Sequence, residues 1–186
     1  TFVDNHDVSP LATILTNKKH IPLAYGLLFG MPGIPCIYYG SEWGEEGAKA
    51  PDNDYALRPC FDEPKPNELT DLIREMISVR RSSDALCNGS YRNVVLTNHQ
   101  LIFERRCEND RMLVAINASD SEYIANHHEL QGKYETELSY PRSSGTGNSA
   151  ADPGDAADEG AETKTTVTLH GQIAMPPYSV QYFHQI

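Results

Sequence analysis

Two hydrophobic periods divide the chain. Up to about residue 83 the apolar positions fall into short runs and helical spacings; from about Asp84 they alternate in twos. The first run, Phe2-Val3, is followed at once by Asp4-Asn5-His6-Asp7. That is how the tip of a buried parallel strand reads where its chain opens into a site. A second run of the same kind is Ile34-Pro35-Cys36-Ile37-Tyr38-Tyr39-Gly40, followed by Ser41-Glu42-Trp43-Gly44. Between them Ser9 and Pro10 have the chemistry of a helix N-cap and first helical position. From His20 to Gly30 the residues Ile21, Ala24, Leu27 and Leu28 recur at helical spacing, and Met31-Pro32-Gly33 ends the pattern. Strand, loop, helix, strand predicts a βαβ crossover.

Ser41 to Pro66 is rich in Gly, Pro, Asp and Asn and reads as a long irregular loop, a kind of segment that tends to carry function. Asn67 caps a helix with Leu69, Leu72, Ile73, Met76 and Ile77 on one face and Asp71, Arg74, Glu75 and Arg80 facing water; it ends near Arg81-Ser82-Ser83. Beyond it, Tyr91–Thr97, Leu101–Arg106, Arg111–Asn117, Lys133–Ser139, Thr165–Leu169 and Ser179–His184 read as strands. Asn98-His99, Glu108-Asn109-Asp110 and His170-Gly171 are the turns between them. Met112, Val114 and Ile116 share one strand face; Val167 and Leu169 point in while their threonine neighbours point out. The pattern predicts an antiparallel β-sandwich over 84–186. Within it, Ser143 to Glu162 has almost nothing to bury and reads as a flexible acidic loop. Its Asp152, Asp155 and Asp158 do not have EF-hand spacing.

The chain has 186 residues, enough to bury a real core, and a formal charge of -11. Negative charge without a Lys/Arg cluster disfavours nucleic acid as a partner. No apolar run is long enough to span a membrane. Cys36, Cys60, Cys87 and Cys107 form no CxxC pair and read as reduced thiols, Cys36 as a buried strand residue. Such sparse cysteines tilt the compartment toward the cytoplasm. Thr1 begins inside the first expected strand, so the chain reads as a segment of a longer protein.

Phe2-Val3-Asp4-Asn5-His6-Asp7 resembles the F-x-x-N-H-D segment at the end of the seventh barrel strand in the α-amylase family of glycoside hydrolases. Gly33 to Glu42 resembles the family's G-x-P-x-I-Y-Y-G-x-E segment on the eighth strand. Two such segments, in this order and separated by one helix, make a specific pattern. The resemblance implies that residues 1–83 are the last two strand–helix units of a (β/α)8 TIM barrel and that 84–186 are the β-domain that follows it. It implies a longer enzyme acting by a retaining mechanism on α-glucosidic linkages of starch-like glucans. Its nucleophile and acid/base, about 5 Å apart in such mechanisms, come from earlier strands outside this chain.

The carboxylate carried over to this chain is Asp7, the transition-state stabiliser, with His6 as a donor to the same sugar and Asn5 orienting both. A charged carboxylate accepting sugar hydroxyls makes strong, charge-assisted hydrogen bonds. Contacts that tighten toward the transition state lower the barrier rather than only binding substrate. Tyr38, Tyr39 and Trp43 offer flat faces for sugar stacking, unless Tyr38 or Tyr39 is core; Glu42 is either a site residue or a loop-fixing partner. Arg58 ties the long loop to a carboxylate, and Asp4 faces a wall or a neighbouring loop. No cofactor or metal is called for in this chain; the resemblance allows calcium in the longer enzyme, through an inserted domain absent here. The expected partner is an α-glucan, and exposed barrel strands leave self-association open. The chain alone is expected to be inactive. The competing readings are a related glucan transferase (glucanotransferase or branching enzyme) and a non-catalytic carbohydrate-binding or structural β-module.

Overall fold

A buried helix pressed onto one face of an antiparallel sheet organises the molecule. The computed structural model describes residues 1–142 and 164–186, so the expected acidic loop with its Asp152, Asp155 and Asp158 lies outside the described residues. The helices are α1 (Leu11–Ile14), α2 (His20–Gly30), α3 (Glu68–Ser82) and α4 (Asp84–Asn88), with short 3-10 turns at Ser41–Trp43 and Tyr55–Leu57. The strands are β1 (Ser90–Leu96), β2 (Gln100–Arg106), β3 (Arg111–Asn117), β4 (Tyr123–Tyr140), β5 (Thr165–Met175) and β6 (Ser179–Gln185). They join as one sheet in the order β1-β2-β3-β6-β4-β5, every pair antiparallel. The expected sandwich is therefore a single hydrogen-bonded sheet among the described residues, because β6 pairs with both β3 and β4.

The sheet buries both faces. Met112, Val114, Ile116, Val180 and Tyr182 face the helices, in one core with Leu28, Phe29, Leu72 and Met76. Leu113, Ala115, Tyr134, Leu169, Ile173 and Phe183 form a second core on the other side. This is the alternation expected for β3 and for Val167 and Leu169, whose threonine neighbours are exposed. The first core crosses the boundary at residue 84, so the helices of 1–83 and the sheet bury each other.

Helix α2 is apolar nearly all round, and its buried positions are not confined to one stripe. It lies close on the sheet because Gly26 and Gly30 have no side chains there. A Cβ on Gly26 would stand 2.5 Å from Val180 Cγ2, and one on Gly30 2.7 Å from the Phe103 ring. The Tyr182 hydroxyl donates to the carbonyl of Gly26. The helix has no basic residue in its own last turn. Two guanidiniums from elsewhere meet its carbonyl end. Arg80 donates to Phe29 O, Met31 O at 3.0 Å and Gly33 O at 2.6 Å. Arg105 donates to Gly30 O at 2.8 Å and to Gly89 O at 2.9 Å. Arg80, expected to face water, is thus buried, because unpaired carbonyls at a helix C-terminus attract a cation. Burial, then repulsion from Arg80, lowers the Arg105 pKa from its ordinary value.

The other departures from expectation are local. No strand forms at Phe2-Val3 or across Ile34–Gly40. Both segments run beside each other for one parallel rung, Thr1 N to Ile34 O at 2.8 Å and Cys36 N to Thr1 O at 2.8 Å. No further strand among the described residues extends that ladder, and Ile34 and Cys36 are exposed. Cys36 is therefore not the buried strand residue expected; all four cysteines are free. Ser9 does not cap α1; its hydroxyl accepts from Lys49 N at 3.0 Å, and the α1 N-terminus is served by Asp4. Asn67 does cap α3, in a reciprocal box with Thr70. Short helix α4 was hidden by its small length. His170-Gly171 is no turn: it lies inside β5, opposite a bulge in β4 between Asn126 and Gln131, with Gly171 at φ 85°.

Gly26→Ala is expected to destabilise the chain by about 1–3 kcal/mol, because stiff, β-branched Val180 cannot yield to the added methyl. A thermal melt would read this as a lowered Tm, by about 2–4 °C per kcal/mol. Alkali gives a second check. Burial first, then the charge of Asp4, raises the Tyr25 pKa, and burial raises that of Tyr182. A phenol raised in the fold stays protonated there while the unfolded chain ionises near about pH 10. Stability is then fully present below that pH and falls as pH rises above it. Phenolate absorbance should lag for these two groups and appear together with the loss of the circular-dichroism signal.

Candidate active site

The chain turns sharply after Asp4. Asn5 Oδ1 accepts the Asp7 N–H at 2.8 Å, the local ring by which an Asn side chain closes a turn. This puts His6 and Asp7 side by side, His6 Nε2 3.3 Å from Asp7 Oδ2. Their side chains are 58% and 60% exposed, so the pair opens to solvent rather than into the core.

The long loop folds back over this corner. Arg58 Nη2 donates to Asp7 Oδ1 at 3.3 Å and to Asp54 Oδ2 at 3.2 Å, and its Nε donates to His6 O at 3.3 Å. Lys49 Nζ donates to Asp7 O at 2.6 Å. The carboxylate read from sequence as the anchor of Arg58 is Asp7 itself. Asp7 is thereby fixed between a guanidinium and an imidazole, with its side chain still largely open to solvent.

Aromatic rings run away from this corner. Tyr38 lies 6.4 Å from the His6 ring and 4.6 Å edge-on to Tyr39. Burial, then Tyr39, pushes the Tyr38 hydroxyl up to about 12, and it donates to Leu57 O at 3.2 Å. Tyr39 is 45% exposed and its hydroxyl donates to Pro59 O at 2.8 Å. Its ring stands 5.8 Å from Phe61, which packs 5.1 Å from Trp43.

The structure thus gathers Asn5, His6 and Asp7, sets Tyr38 beside them and Tyr39 one ring further. Glu42 and Trp43 do not join them. Glu42 turns inward, with Oε2 buried and without a hydrogen bond. Trp43 donates to Glu45 Oε2 at 3.2 Å and lines a different cleft of about 380 Å³ with Lys18, Leu72 and Tyr140. Asp4, expected to face a wall or a neighbouring loop, is 2% exposed. Its Oδ2 accepts from Leu11 N at 2.9 Å and from the Ser41 hydroxyl at 2.8 Å. Lys49 and Phe61 escape sequence reading because their partners lie far along the chain.

With this geometry in place, comparison with known proteins is decisive on one point. Residues 1–84 match the family model described as Alpha amylase, catalytic domain. Through that segment the chain belongs to the α-amylase family. Curated family relatives agree. The cyclomaltodextrin glucanotransferase of a Bacillus species (strain 1-1) is 32% identical over 141 residues, covering 74% of this chain and 20% of that protein. Alpha-amylase 2 of Dictyoglomus thermophilum is 30% identical over 142 residues, covering 72% of this chain and 24% of that protein. The chain therefore spans about a fifth to a quarter of the length of these relatives. Among solved structures, the alpha-amylase of Geobacillus thermoleovorans, complexed with acarbose, superposes over 100% of this chain and 38% of its own, with TM-score 0.74 and 18% identity. That likeness carries the family fold across the β-sheet as well.

Arg58→Ala should change global stability little, since exposed ion pairs contribute about 0–1 kcal/mol. It should instead free the loop across residues 45–66. Limited proteolysis is the check: cleavage there should speed up several-fold while the sheet stays intact.

Proposed function

We propose that this chain supplies the substrate-gripping wall of an α-glucan-processing active site. The observation that carries the reading is the solvent-facing His6–Asp7 pair, held open by Asn5 and Arg58 at the end of the first family segment. In it, Asp7 accepts two hydroxyls of a glucose unit and His6 donates to the same ring. As the sugar flattens toward an oxocarbenium ion these charge-assisted bonds strengthen, and Asp7 stabilises the transition state. Arg58 and His6 hold the carboxylate in its aim. Tyr38 and Tyr39 flank the ring. The nucleophile and acid/base come from residues outside positions 1–186. In the same reading residues 1–83 are the last two strand–helix units of a (β/α)8 barrel, a view supported by the parallel rung at Thr1 and the helices that follow each segment.

Hydrolysis of α-glucosidic bonds is the first reading of the complete enzyme. Transfer is the second, favoured by the glucanotransferase likeness over 74% of this chain. Product analysis on starch separates them: linear maltooligosaccharides for a hydrolase, cyclic or re-linked chains for a transferase.

Asp7→Asn in the complete enzyme should lower kcat/KM by about 10²–10³-fold, the range for losing one transition-state contact of this kind. Its Tm should stay near that of the wild type, since the side chain is exposed. Wild-type activity in this variant would overturn the role. The 186-residue polypeptide by itself should release no reducing sugar from starch.

A further inference from the structure

The sheet carries a second group of chemically active side chains, which shares no residue with the exposed corner. Glu135 of β4 is the register partner of His184 of β6, so the two stand on one face of the sheet. Glu137 is the extra residue of a bulge in β4 between Thr136 and Leu138, the kind of irregularity that re-aims a side chain. One donor atom from each of the three lies within 4.8 Å of the other two. His184 Nδ1 is 3.6 Å from Glu137 Oε1, and the Glu137 side chain is only 7% exposed. The three converge in a sheltered place, unlike a run of charges spread over a wet surface.

The other edge of the imidazole is occupied. Asp110 Oδ1 is buried, makes no well-aligned hydrogen bond and stands 3.0 Å from His184 Nε2. The Ser83 hydroxyl and the Ala85 N–H fix its other oxygen, each at 2.8 Å. A carboxylate behind a ligating imidazole is the arrangement that sets the ring and strengthens its free nitrogen as a ligand. With the ring proton turned toward Asp110, Nδ1 points a lone pair at Glu137. A lone pair and a carboxylate at that distance repel unless a positive charge lies between them.

Lys164 supplies one such charge from the side, 2.8 Å from Glu137 and 4.0 Å from Glu135, on a side chain 55% exposed. One ammonium balances one of the two glutamates. A divalent ion balances both and takes the imidazole nitrogen as well. One nitrogen and two oxygens are too few and too mixed for calcium, which takes six to eight oxygens. They match a zinc site with three protein ligands and water in the fourth position.

We infer that Glu135, Glu137 and His184 form a binding site for one divalent transition ion of the zinc type, with Asp110 behind the imidazole and Lys164 as the counter-charge the ion displaces. Such an ion staples β4 to β6 and, through Asp110, steadies the junction of α3 and α4. Sequence spacing does not reveal the site, because its two strands lie far apart in the chain.

The test is calorimetric titration of the chelator-treated, reduced 186-residue chain with ZnCl2, with MgCl2 as the hard-ion control. The expected result is one zinc site, a Tm that rises with zinc concentration, and no response to magnesium at the same concentrations. His184→Gln and Glu137→Gln should each abolish that site. Asp110→Asn, which keeps an acceptor for Ser83 and Ala85, should weaken it by about 10–100-fold. Lys164→Met should tighten it several-fold, because the competing ammonium is gone; an ion pair with a purely structural role predicts no zinc response to that change. Cobalt(II) in place of zinc gives a visible absorption band that His184→Gln should alter. A wild-type chain that takes up no zinc would overturn the inference, whatever the variants do. So would zinc binding unchanged in both His184→Gln and Glu137→Gln, which would place the ion on the free cysteines, on His127 and His128, or on the acidic stretch 143–162.

Discussion

The carbonyl end of α2 is the point on which the fold turns. A helix presents roughly half a negative charge there, and in this chain that end is buried. Arg80 from α3 and Arg105 from β2 converge on it, with backbone oxygens as partners. Bringing two guanidiniums into a low-dielectric interior is expensive unless their donors are met. Here they are met by carbonyls that would otherwise be orphaned. One arrangement thus satisfies two sets of groups and fastens the helical segment to the sheet. Removing either partner would leave the other stranded.

The functional corner inherits its position from this arrangement. Helix α2 rests on the sheet through Gly26 and Gly30 and faces Asp4 and Ser41 through Tyr25. Asp4 holds the start of α1 and the Ser41 hydroxyl, so the two family segments meet at one buried carboxylate. The exposed pair beyond it needs only a tight Asn5 turn and one arginine from the long loop. Rigidity therefore comes from behind, and openness is kept in front. That division suits the role proposed for Asp7, in which it would meet its substrate without first rearranging itself.

Much of this was legible in the sequence where neighbours in space are neighbours in the chain. Asn5, His6 and Asp7 are contiguous, and their corner followed from their order. Helix α3 followed from its period and its Asn67 cap, and the hairpin strands from alternation and turns. What failed was long-range. Arg80 sits on a polar-looking face of α3 and reads as solvated until α2 is placed beside it. Glu42 looks like a companion of Asp7 but turns a carboxylate oxygen inward instead. The strand pattern of Ile34 to Gly40 is genuine, yet a pattern makes no ladder without neighbours. His170-Gly171 looked like a turn because a glycine with positive φ serves a bulge equally well.

The single parallel rung between Thr1 and the Ile34–Cys36 stretch has a mechanical meaning. With one rung there is almost no sheet to keep these two segments in register, so their spacing is set by α2, by Asp4 and by the long loop that bonds to both. The distance between Asp7 and the tyrosines is then a property of how a helix sits on a distant β-surface.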